Sequence, residues 1–145
     1  MTEQQILESL LSDYQDKVNP RYPFPEPYRG SGEIKAIILG ADPTRIFKDQ
    51  PQPQPFNMVF ELDNDKSPYF RSIRKNIDMV DGLSLDNIYV QNLCRNYFAE
   101  ETSKNKAWIE IAKKYWSGFL AKELDSMFAT SVPVLITTEF IYKGI

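Results

Sequence analysis

The sequence predicts an α/β domain built on a parallel sheet flanked by helices, and three observations predict it. Apolar runs of strand length occur at 34–39, 87–92 and 133–137, and two stretches of helical periodicity, 68–80 and 106–127, separate them. The order strand, helix, strand, helix, strand is that of βαβ units, whose crossovers are right-handed. With 145 residues, 42% hydrophobic and 13% aromatic, the chain can bury one core of ordinary size, so a single domain over residues 1–145 is expected.

Ile6, Leu7, Leu10, Leu11 and Tyr14 follow helical spacing and make 3–16 an amphipathic helix that Asn19-Pro20 closes. The next stretch, 21–30, carries three prolines and three aromatics and reads as an extended segment laying its rings on the domain. Ile37, Ile38 and Leu39 form a strand covered on both faces, and Gly40 permits a sharp turn where it stops. The alternation Gln50-Pro-Gln-Pro-Gln-Pro55 favours polyproline II conformation in a long loop. Ser67-Pro68 has the form of a helix start, a capping hydroxyl followed by proline at the first helical position, and Phe70, Ile73, Ile77 and Val80 supply the buried stripe. That helix stops near Asp81-Gly82. Asn87–Asn92 is the second strand, Trp108, Ala112, Tyr115, Trp116, Phe119, Leu120 and Leu124 mark a long helix, and Val132–Thr137 holds the third strand.

Composition narrows the chemistry. The chain has no histidine, which removes the usual general base, the Ser-His and Cys-His nucleophile pairs and imidazole-ligated zinc. The lone Cys94 cannot form an internal disulfide or hold a zinc ribbon or iron-sulfur cluster. Carboxylates, lysines and tyrosines remain as acid/base candidates. A net charge of −3 argues against strong non-specific phosphate binding, and Arg71, Arg74, Lys75, Lys113 and Lys114 read first as solvated helix faces. No apolar run reaches the ~20 residues of a membrane span and the start lacks a secretion signal, so a cytoplasmic protein is expected.

Candidate site residues lie at strand ends. Asp42 follows the first strand and is locked in front of Pro43, which biases it away from helical geometry. Asn92 closes the second strand, and neighbouring parallel strands would bring both residues to the carboxyl rim, where open α/β sheets place ligands. Asn92 offers a carbonyl acceptor beside an amide donor, the pattern that reads the edge of a nucleobase or another planar amide. Phe56, delivered by the proline-rich loop, offers a flat face for stacking. Singly, each has an ordinary role as a turn carboxylate, a strand-ending amide or a core ring.

As an ordered set, Leu39-Gly-Ala-Asp-Pro-Thr44, Pro55-Phe-Asn57, Ser67-Pro-Tyr-Phe-Arg-Ser-Ile-Arg-Lys75, Tyr89-Val-Gln-Asn92 and Val134-Leu-Ile-Thr137 resemble the uracil-DNA glycosylase superfamily from residue 21 to the end. The resemblance implies a three-layer α/β fold and hydrolysis of the N-glycosidic bond of a flipped base, with DNA as partner and no metal or organic cofactor. It implies that Asp42 positions the hydrolytic water and supports charge on the sugar, that Phe56 stacks on the base, and that Asn92 hydrogen-bonds the pyrimidine edge. The Ala41 backbone would contact the base carbonyls. Such an enzyme extrudes its target from the duplex and reads the Watson-Crick edge in a tight pocket.

The departures are equally specific. The family's His-Pro-Ser-like loop, whose histidine stabilises charge on the uracil carbonyl, has no counterpart, and the domain reads as incomplete at its C-terminus. Thr44 stands at the specificity position, where many members carry a tyrosine that excludes thymine. Asn57 replaces a serine, and Tyr69 occupies a position where a phosphate-contacting serine is common. Three readings follow: a glycosylase or a truncated form of one, weakly active or inactive as a 145-residue chain; a non-catalytic member that binds a nucleobase, nucleic acid or protein; and an unrelated α/β interaction module.

Overall fold

A computed structural model of the chain describes residues 1–50, 52–129 and 131–145. Pro51, inside the stretch expected to be polyproline II, lies outside the described residues. The N-terminal helix α1 (Glu3–Asp13) begins in a reciprocal cap, Thr2 Oγ1 accepting from Gln5 N–H while the Gln5 side chain accepts from Thr2 N–H. Two short strands follow, β1 (Val18–Asn19) and β2 (Tyr28–Arg29), and then the buried β3 (Ala36–Gly40). Helix α2 (Pro68–Asp78) starts as expected, Ser67 Oγ accepting from Tyr69 N–H at 3.2 Å. It ends three residues before Asp81, and the chain reverses through Gly82 at φ 86°, a left-handed conformation that suits glycine.

Strands β4 (Ile88–Asn92) and β5 (Tyr97–Phe98) come next, followed by α3 (Trp108–Ile111), a wide π turn over Ala112–Trp116, and α4 (Ser117–Met127). The expected long helix is thus one continuous rod with a wider turn inside it. The reason is visible in its two tryptophans: at ~100° per residue, positions eight apart drift about 80° around an α-helix, and one extra residue in a wide turn absorbs that drift. Trp108 and Trp116 are accordingly both buried. The chain closes with β6 (Val134–Ile136) and α5 (Glu139–Gly144).

The main sheet has the order β2-β4-β3-β6. β3 runs parallel to both β4 and β6, as the βαβ pattern requires, with Gly40 opposite Asn92 and Leu39 opposite Ile136. β2 lies antiparallel on β4, so the sheet is mixed where the sequence predicts a parallel one. A separate ribbon pairs β1 with β5 antiparallel. Alternation along the strands divides the core. Ile37, Leu39 and Tyr89 pack with α1, Trp108, Trp116 and Ile141, whereas Ile38, Ile88 and Val90 pack with Phe70, Ile73 and Ile77 of α2. Among the described residues, no helix is long and apolar enough to cross a membrane.

Candidate functional site

The rim is built by the ends of β3 and β4. Gly40 and Asn92 are register partners, and a Cβ at Gly40 would lie 2.3 Å from Asn92 Oδ1 and 2.6 Å from the Phe60 ring. Only glycine lets the amide of Asn92 and the ring of Phe60 meet over the strand end. The Asn92 side chain makes no hydrogen bond among the described residues, while its backbone N–H donates to Gln91 Oε1 at 2.9 Å. A cavity of about 90 Å³ opens there, lined by Asp42, Pro43, Thr44, Arg45, Phe56, Phe60, Tyr69 and Asn92. The three residues singled out in the sequence therefore share one cavity.

Asp42 is held rather than free. Its Oδ1 accepts from Thr44 N–H at 2.8 Å, a local turn bond, and its Oδ2 accepts from Thr102 Oγ1–H at 2.6 Å and Trp108 Nε1–H at 2.9 Å. Burial pushes its carboxyl above the ordinary range, and the hydrogen bonds from Thr102, Thr44 and Trp108 offset that only in part. Burial, with the Asp42 carboxylate adding to it, also pushes the Cys94 thiol well up, so this cysteine is no thiolate nucleophile.

Phe56 is fixed through its backbone. The hydroxyl of the buried Tyr97 accepts from Phe56 N–H at 2.7 Å, which ties the long loop to β5. The residue is only 9% exposed, and its ring meets Tyr69 edge-on at 5.4 Å and carries the Arg45 guanidinium over its face with Cζ 3.9 Å from the centroid. The expected open stacking face is thus occupied. Thr44 lines the cavity, but its hydroxyl accepts from Phe98 N–H at 2.8 Å. Ala41 does not line the cavity, and its carbonyl accepts from Cys94 N–H at 2.9 Å; a contact with base carbonyls would fall to its backbone N–H.

Sequence reasoning missed Arg45, Phe60 and Glu61. Arg45 Nη1 pairs with the Glu61 carboxylate and Nη2 donates to Pro55 O at 3.0 Å. Phe60 and Glu61 both adopt left-handed backbone, φ 53° and 49°, which for side chains of this size is strained. That turn aims the Phe60 ring at Gly40 and the Glu61 carboxylate at Arg45. No sequence signal announces it, because neither residue is a type that favours positive φ. Trp108 was legible as a helical core ring and Thr102 carried no signal, and only the fold brings both to Asp42. Among the described residues, no group of three or more acidic, cysteine or histidine side chains is placed to hold a metal ion. Compared with known proteins, the chain matches no family model, no curated protein and no solved structure.

Proposed function

We propose that the cavity at the β3–β4 rim is a nucleobase pocket of the uracil-DNA glycosylase type, in a three-layer domain of that kind. The observation that carries the reading is the convergence of Asp42, Phe56 and Asn92, drawn from three separate segments, on one cavity, with the Asn92 side-chain amide making no hydrogen bond among the described residues. An amide with a free donor and acceptor at a sheet rim suits the edge of a pyrimidine, and aromatic rings beside it suit its faces. Asp42, on the wall of the same cavity, is the carboxylate that would support an oxocarbenium-like sugar.

The three donors already on Asp42 favour base binding over efficient hydrolysis. They leave the carboxylate little capacity to orient a water, and no histidine is present to stabilise charge on the departing base. A missing donor of that kind costs on the order of 10²- to 10³-fold in rate.

The test compares single-stranded oligonucleotides with and without one deoxyuridine, at low salt, for binding and for base release. The uracil-containing strand is expected to bind more tightly. Phe56→Ala and Asn92→Ala should each weaken that preference, by about 5- to 150-fold for a lost stacking or edge contact of ~1–3 kcal/mol. Release should be slow and fall further in Asp42→Asn. Equal binding of both strands, untouched by either substitution, would remove the nucleobase reading. Robust duplex excision insensitive to Asp42→Asn would remove the catalytic assignment.

A further inference from the structure

If the cavity takes a planar base, Arg45 already sits where that base belongs. Its guanidinium lies over the Phe56 ring at 3.9 Å and near those of Tyr69 and Phe47 at 5.4 and 5.7 Å, so three aromatic rings surround one cation. The free space left is about 90 Å³, well below the ~300 Å³ at which ordinary ligand pockets begin. The guanidinium takes up part of that difference, on the Phe56 side.

The closed arrangement is anchored but incomplete. Glu61 and the Pro55 carbonyl take the two terminal nitrogens, while Arg45 Nε is buried without a hydrogen-bond partner. A fully satisfied guanidinium would be a fixed part of the wall. One orphaned donor leaves the closed state short of a hydrogen bond that the side chain regains in water. The anchor itself stands on the strained Phe60-Glu61 turn.

We propose that Arg45 is a ligand-selecting gate, its guanidinium holding the stacking face of Phe56 until a planar base exchanges for it. This rests on the nucleobase reading above. Only a flat, polarisable ring can replace what the cation gains from the aromatic cluster, so sugars and phosphates alone do not open the site. The measured affinity of the native chain is then reduced by the fraction of time the face is free.

The test uses the intact chain as wild type, Arg45→Ala and Arg45→Lys, with 2′-deoxyuridine and a single-stranded oligonucleotide carrying one deoxyuridine as probes. Arg45→Ala should bind both about 3- to 30-fold more tightly, the range expected when a cation–aromatic contact no longer competes. Arg45→Lys keeps the charge without the flat fork and should fall between. In ¹⁵N-edited spectra the Arg45 Nε–H resonance, assigned by its loss in Arg45→Lys, should lie upfield in the free protein and move downfield on adding 2′-deoxyuridine. If wild type binds and neither variant binds more tightly, or if the resonance stays in place at saturation, the gate is wrong and the pocket stands. If none of the three chains binds either probe, gate and pocket fall together. Should Arg45→Ala not fold, Arg45→Lys and the resonance decide.

Discussion

Asp42 accepts three hydrogen bonds from three different parts of the chain, Thr44 beside it, Thr102 in the loop after β5 and Trp108 at the start of α3. An asparagine cannot serve all three. Whichever way its amide turns, the NH₂ group faces either Thr44 N–H or Trp108 Nε1–H, and neither can accept. Asp42→Asn is therefore expected to lower stability by about 1–3 kcal/mol at neutral pH, read from denaturant unfolding. The pH dependence has a definite sign. The folded-state value lies above the ordinary 3.8, so the folded chain holds the proton more tightly than the unfolded one. The carboxyl thus favours folding most fully below about 3.9 and loses that contribution as pH rises through its raised folded value. The stability gap between wild type and Asp42→Asn should accordingly be wider at pH 4 than at pH 7.5. A gap that narrows on acidification would mean that hydrogen bonding outweighs burial at this carboxyl. The location of Asp42 was legible because Gly40 and Pro43 punctuate the strand end, whereas its three partners were not, since two of them lie 60 or more residues away.

At the scale of elements, β3 and α2 were legible because their signals are local: an unbroken apolar run, and a serine-proline start followed by a buried stripe. The two-residue strands β1, β2 and β5 carry too few residues for any period to show, and β2 is recruited by the free edge of β4. The junction of β3 with the Phe60 turn is likewise a tertiary fact. Gly40 is specified by what approaches it, with Asn92 Oδ1 2.3 Å and the Phe60 ring 2.6 Å from the position of a Cβ. Gly40→Ala must push one of them aside, at a cost of about 1–3 kcal/mol for an overpacked site. Displacing the Asn92 amide should also weaken binding of a uracil-containing strand by tenfold or more. Gly118→Ala is the matched control, because a Cβ there meets nothing within 4 Å inside α4. It should raise stability by up to about 1 kcal/mol and leave binding alone. Equal effects at the two glycines, or intact binding in Gly40→Ala, would show that the contact over the strand end does not position Asn92.

The whole sheet leaves one edge unlike the other. β2 covers β4 on one side, whereas among the described residues β6 pairs only with β3 and presents Val134, Leu135 and Ile136 at 45%, 39% and 41% exposure. Beside it lies an apolar cleft of about 260 Å³ lined by Ile38, Ile73, Ile77, Val80, Leu135 and Ile136 among others. The sequence offers no charge along this edge, since no ionisable side chain stands between Asp125 and Glu139. Unpaired N–H and C=O groups next to exposed branched side chains form a template for another strand, and proteins ordinarily guard such edges with lysine, proline or a covering element. Pro133 guards the start of β6, and among the described residues nothing comparable stands on Val134–Ile136. The 145-residue chain is therefore expected to self-associate with rising concentration, as followed by sedimentation or light scattering. Val134→Lys should suppress it. Val134 belongs to neither core cluster, so the substitution should change folding stability by only about 0.5 kcal/mol. Wild type that stays monomeric at high concentration, or a Val134→Lys variant that associates just as readily, would show that the edge is protected by its shortness alone, three residues being too few to hold another strand.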